Sequence, residues 1–170
     1  RIVNAGVIER QNGQPAVYFN GSTYMASAAF SALASGYTTC IVGGISSNTA
    51  NSTFGAKTNA HLPYPYDFYN NTFMSGNGSG YEGRTLTTSI ATASGYSQWT
   101  FGADATQMVA YRFGTSNLGS TSAPSDYGDG SRPLFLGTRQ DGATSLNGYI
   151  GEYLLFPVVL SSGNRGIMEC

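Results

Sequence analysis

Residues 146–160 read LNGYIGEYLLFPVVL. The first half alternates, with Leu146, Gly148 and Ile150 set against Asn147, Tyr149 and Gly151, and an apolar run from Tyr153 through Leu154 and Leu155 to Phe156 follows. Such a pattern is a β-strand entering a core. Pro157 has no amide hydrogen to give to a ladder, so the strand is expected to stop there or to reach a sheet edge.

The rest of the chain reads as partner strands. Residues 15–19, PAVYF, form one, closed by the turn Asn20-Gly21-Ser22. Residues 37–45, YTTCIVGGI, are β-branched and aromatic between Gly36 and Ser46, and a central place in a sheet is expected for them. Shorter candidates are Ile2-Val3 before the Asn12-Gly13 turn, residues 67–75 before a glycine-rich turn at 76–80, and residues 86–90 and 97–101. Residues 106–113 alternate, with Gln107, Val109, Tyr111 and Phe113 on one face and Met108, Ala110 and Arg112 on the other. Leu134 to Leu136 makes a last short strand before the turn Gln140-Asp141-Gly142. Residues 26–35, rich in Ala and Ser, are expected to form a loop or one helical turn, and residues 114–132 a long loop. HLPYPY at 61–66 is extended because of its prolines. Ser161 or Ser162 caps a short closing helix through Ile167 and Met168, weakened by Gly163 and Gly166. Roughly nine or ten short strands with regular turn signals predict an all-β chain, an antiparallel β-sandwich or jelly roll with at most a short C-terminal helix.

A chain of 170 residues is one domain in size and buries about two-thirds of its unfolded surface. Charged residues make up only 10% and the net charge is −1, so neither nucleic acid nor an anionic membrane is an expected partner. No apolar run nears the ~20 residues of a membrane-spanning helix. Lys57 is the only lysine, and 23 glycines and 12 tyrosines suit a turn-rich, externally exposed protein kept soluble by Ser, Thr, Asn and Gln. Cys40 and Cys170 permit one disulfide, which would contribute about 4–5 kcal/mol in the chain-entropy model, and the sequence leaves bonded and separate thiols equally open. His61 is the only histidine, so neither a zinc site nor a histidine-based triad is expected.

Sugar binding requires exposed aromatic faces beside amides and carboxylates that satisfy several hydroxyls. Tyr64, Tyr66, Asp67, Tyr69, Asn70 and Asn71 form one such cluster, and Tyr127, Arg139 and Asp141 a second. Some of these tyrosines have packing as their plain role, and Trp99 between Gln98 and Thr100 reads as core. Asp126 and Asp129 share one flexible loop that offers oxygen ligands to calcium, although the spacing is not that of an EF-hand. Glu152 reads as a solvated or hydrogen-bonded structural carboxylate with Arg139 or Arg112 as partner. Sequons begin at Asn20, Asn51, Asn70 and Asn77, and acquire meaning only in a eukaryotic secretory route.

PAVYFNGSTYM (15–25), YTTCIVGGI, SQWTFGADATQMVAYRFG (97–114), RPLFLGTRQDG (132–142) and LNGYIGEYLLFPVVLSSGNR (146–165) together resemble the laminin-G-like, concanavalin-A-like jelly-roll superfamily, above all its bacterial and phage versions. In those, a strand ending in Phe-Asn-Gly opens the domain and an Asn-Gly-x-Ile-Gly-Glu strand nearly closes it. The resemblance implies a single domain over residues 1–170, a fragment or a module of a longer chain, and it adds weight to calcium at a loop rim. Two carboxyls about 5 to 9.5 Å apart are needed for glycoside hydrolysis, and the Glu-x-Asp-x-x-Glu strand of laminarinase-like sandwiches is absent.

The expected function is therefore a non-catalytic carbohydrate-binding or adhesion module, outside the cell, on a bacterial surface or a virion. Its partners would be a glycan or cell-surface polysaccharide and neighbouring domains or subunits. The alternatives are a structural packing module of a filament or capsid and, less favoured, an arabinofuranosidase-like glycosidase fragment.

Overall fold

The computed structural model describes residues 3–4, 7–8, 10–11, 13–30, 36–46, 51–52, 54–56, 67–69, 72–77, 80–86, 97–103, 107–112, 116–122, 132–138 and 145–168. Four short strands come first: β1 (Val3–Asn4) pairs with β2 (Val7–Ile8), and β3 (Arg10–Gln11) with β4 (Gln14–Pro15). Gly13, at φ +80°, makes the second of these turns, as the Asn12-Gly13 signal predicts.

Three sheets hold the remainder. In chain order the strands are β5 (Val17–Asn20), β6 (Met25–Phe30), β7 (Tyr37–Ile45), β8 (Asn51–Ser52), β9 (Gly55–Ala56), β10 (Asp67–Tyr69), β11 (Thr72–Asn77) and β12 (Gly80–Leu86). They continue with β13 (Ser97–Ala103), β14 (Gln107–Arg112), β15 (Ser116–Ser122), β16 (Arg132–Leu136) and β17 (Asn147–Phe156), and helix α1 (Ser162–Met168) follows. The largest sheet has the order β15-β14-β13-β7-β17-β5, the second β12-β11-β10-β8 and the third β6-β16-β9. Every pairing is antiparallel.

The core lies on one face of the six-stranded sheet. Phe19 from β5, Ile41 from β7, Trp99 and Phe101 from β13, and Ile150 from β17 meet there with Leu146, and Phe54, just ahead of β9, enters from the third sheet with Leu136 of β16 beside it. Each such side chain, once buried, contributes about 1.5–3 kcal/mol. These contacts make the two layers a sandwich. Trp99 is 2% exposed, a core residue as its sequence setting predicts. Its ring lies 5.6 Å from that of Phe54, tilted by 55°.

Strand β17 does not alternate throughout. Ile150 pairs with Gly43 and Glu152 with Val42, so Gly151 is an extra residue in a β-bulge. The bulge shifts the pleat by one position, and Tyr153 comes to the inner face only three residues after Ile150. Glu152 is turned out and exposed. Exposure leaves it hydrated, so the arginine partner anticipated for it is not required.

Glycines make room for three of the inward rings. A Cβ at Gly43 would stand 2.8 Å from the Phe54 ring, one at Gly55 would stand 2.6 Å from Tyr153, and one at Gly137 would run into Phe19. Gly137 also has φ +85°, a backbone that side-chain-bearing residues rarely adopt.

The strand ends at Phe156 and Pro157 turns the chain, as expected. Thr38, on the outward face of β7, then holds the returning segment by donating its hydroxyl to the Val158 carbonyl at 2.9 Å and accepting the Leu160 amide at 2.9 Å. The Ser161 hydroxyl accepts the Asn164 amide at 3.3 Å, the N-cap of α1, and Arg165 Nη1 donates to the Leu160 carbonyl at 2.9 Å. Cys40, on the same outward face, is a buried thiol that accepts the Thr100 hydroxyl at 3.8 Å, while Cys170 lies outside the described residues.

Two segments differ from expectation. Residues 26–30 continue strand β6, not a loop or helical turn, because pairing with β16 outweighs the weak strand preference of Ala and Ser, and residues 31–35 lie outside the described residues. Residues 116–122 are strand β15 within the expected long loop. As an edge of its sheet it is held by its ladder with β14 and needs no apolar period.

Gly137→Ala should cost about 2–3 kcal/mol, from strained backbone plus displacement of Phe19, whereas Gly163→Ala, with nothing within 4 Å of the added atom, should stabilise. Urea denaturation of both variants checks the contrast. The Tyr153 hydroxyl and Thr39 Oγ1 are buried without a hydrogen-bond partner of good geometry. Burial pushes the Tyr153 phenol far above its ordinary range, an effect the nearby Thr39 hydroxyl only partly offsets. A phenol that ionises near pH 10 when unfolded and resists ionisation when folded leaves stability unchanged with pH below that value and lowers it as the pH rises further. Tyr153→Phe should match or exceed the native chain at pH 7 by about 1 kcal/mol, and its stability should decline less steeply above pH 10 in the same denaturation assay.

Candidate functional site

Nine of the candidate sugar- and calcium-binding residues, Tyr64, Tyr66, Asn70, Asn71, Asp126, Tyr127, Asp129, Arg139 and Asp141, lie outside the described residues. Asp67 and Tyr69 are the two ends of β10, where Asp67 pairs with Met74, and Tyr69 pairs with Thr72 on one side and Asn51 on the other. Being two residues apart in a strand, they share one face of it.

A different cluster stands on the outward face of the six-stranded sheet, at its β17-β5 edge. Strand alternation creates it. Val17 and Phe19 point into the core, so Tyr18 between them points out, and Gly148 and Ile150 likewise leave Tyr149 outside. The register then pairs Tyr149 with Tyr18 and Asn147 with Asn20. The two tyrosine rings are 4.9 Å apart and tilted by 47°, and the Tyr18 hydroxyl donates diagonally to Asn147 Oδ1 at 3.2 Å. Both rings and Asn147 are half-buried, and Asn20 is exposed.

The neighbours complete the surface. Asn20 Oδ1 accepts the Ser22 amide at 3.1 Å and the Ser22 hydroxyl at 2.9 Å, which fixes the amide at the end of β5. The same turn is held from below by the Gly21 amide, which donates to the Leu146 carbonyl at 2.9 Å. On β7 the residue opposite Tyr149 is Gly44, so no side chain from that strand stands directly against the ring. Beyond the Gly151 bulge, Glu152 comes out on this same face opposite Val42.

Chemically this is a strand-borne array of two aromatic rings, two carboxamides and one carboxylate. It offers ring faces for stacking together with both donors and acceptors. Glu152 is the one carboxylate among the described side chains, and no group of three or more metal-ligating residues occurs among the described residues. The sequence reading passed over Tyr18 and Tyr149 because each sits inside an apolar strand. The signal was present in the period: a tyrosine at the outward position of PAVYFN, and another in NGYIG.

No protein-family model matches the sequence, and no match was found among curated proteins. Solved structures do match. A heptameric SAP-like pentraxin from Limulus polyphemus superposes with a TM-score of 0.71 at 11% identity, over 90% of this chain and 80% of that one. Domain 4 of AbnA, a GH43 extracellular arabinanase from Geobacillus stearothermophilus, solved with arabinotriose, gives 0.69 at 19% identity over 91% and 76%. The CBM40 of the Ruminococcus gnavus IT-sialidase, bound to α2,3-sialyllactose, gives 0.61 at 15% identity over 86% of this chain and 98% of that one. The antiparallel sheets and these superpositions show the fold: a concanavalin-A-like jelly-roll β-sandwich, the architecture its motifs resemble.

Proposed function

We propose that the chain is a non-catalytic carbohydrate-binding module that works outside the cell. The observation behind this reading is the outward array of Tyr18, Tyr149 and Asn147. It sits on a fold that in similar structures accompanies arabinotriose and sialyllactose. Aromatic rings beside planar amides suit sugar C–H faces and hydroxyls better than they suit any proton-transfer chemistry. The extracellular arabinanase among the similar structures supports the location. The finer setting we favour is an adhesion or decoration module of a bacterial surface protein or a virion. In it Tyr66, Asp67, Tyr69, Asn70, Tyr127, Arg139 and Asp141 extend the contact, and Asp126 and Asp129 hold calcium.

Glycan-array screening followed by calorimetry should detect oligosaccharide binding, with no reducing ends released on long incubation. Absence of any bound glycan at millimolar concentration would sink the reading in favour of a packing module. EDTA should lower the melting temperature, and the double variant Asp126→Asn/Asp129→Asn should already sit at the lowered value. An unchanged melting curve removes calcium from the proposal.

A further inference from the structure

The outward face around Tyr149 has a charge pattern that selects among sugars. Among the described side chains of the main sheet, none on the outward face is basic. Arg165, the one basic group among the described side chains, is tied to the Leu160 carbonyl, beside Thr38. Thr38 and Gly44 are six residues apart on β7, which puts the Thr38 end roughly 20 Å from Tyr149 along the strand. The one charge on the outward strand positions near the tyrosines is the exposed Glu152 carboxylate.

We infer that the Tyr18–Tyr149 face is itself a sugar-binding site, one that takes neutral sugar rings and turns away carboxylated ones. The inference rests on the carbohydrate-binding reading above and adds to it a place and a ligand class. The ring of a neutral sugar lays its C–H face on Tyr149, whose side toward β7 is bordered by Gly44. The Asn147 carboxamide, held by the Tyr18 hydroxyl, and the Asn20 carboxamide, held by Ser22, meet the hydroxyls from β17 and from the end of β5. Glu152 accepts from hydroxyls as well, since a carboxylate is an acceptor only. A sialic or uronic acid would bring its own carboxylate to a face whose described side chains hold a like charge and no cation, and would lose hydration without compensation. The groups stand on paired strands instead of loops, so little conformational freedom is lost when a ligand arrives.

The test is calorimetry of the native chain with arabinotriose, xylotriose and cellotriose as neutral probes and α2,3-sialyllactose as the anionic one, joined to amide shift mapping. At least one neutral trisaccharide should bind, sialyllactose should bind at least about tenfold more weakly, and the shifted amides should include 17–20 and 147–152. Tyr149→Ala should weaken the neutral sugar by about tenfold, and Glu152→Lys, at an exposed position, should narrow or reverse the preference against sialyllactose. Neutral binding that survives Tyr149→Ala and shifts amides elsewhere overturns this face while leaving the module a carbohydrate binder. Sialyllactose preferred by the native chain overturns the ligand class. If no probe and no array glycan binds, the broader reading fails along with it. Should Tyr149→Ala not fold, the amide map of the native chain decides the location.

Discussion

The pairing of Ile150 with Gly43 and of Glu152 with Val42, with Gly151 left over between them, fixes what the closing strand presents to each side. Without the extra residue, the pleat would carry Glu152 inward with Ile150 and put Tyr153 outside. With it, an apolar ring and an apolar branched chain share the core face, and the carboxylate stays in water. The sandwich depends on that shift because Tyr153 fills the space that Gly55 leaves open in the second layer.

Much of this architecture was legible in the residues. Period-two alternation marked β14 and the first half of β17, β-branched and aromatic composition marked β7, Pro157 marked where β17 stops, and Ser161 or Ser162 marked the cap of α1. Each of those signals is local, since alternation, a missing amide hydrogen and a capping hydroxyl act within a few residues. Strands β6 and β15 were missed for the opposite reason. Both stand at edges of their sheets and are rich in Ala, Ser, Gly or Thr, so their extended form comes from a partner far away in the chain.

The site was less legible than the fold. Clusters of Tyr, Asp and Asn close together in sequence drew attention to the loops, whereas Tyr18 and Tyr149, 131 positions apart, become neighbours only through the β5-β17 register. Neither is flanked by polar residues, and each taken alone reads as packing. What distinguishes them is phase: both fall on the off-beat of a strand whose on-beat is Phe19 or Ile150. Of the two roles expected for Glu152, solvated or hydrogen-bonded, its exposure fits the first, and its place beside the tyrosines depends on the bulge.

The hydroxyl of Thr38 serves two backbone groups of the returning segment at once, the Val158 carbonyl and the Leu160 amide. Attachment of that segment is therefore concentrated at one atom. Letting go there would free residues 158–160 together, in a partial opening that costs less than global unfolding. The core on the opposite face of the sheet would stay dry meanwhile. Thr38, buried where this segment attaches, would be wetted first, on a slower clock than side-chain motion and a faster one than denaturation.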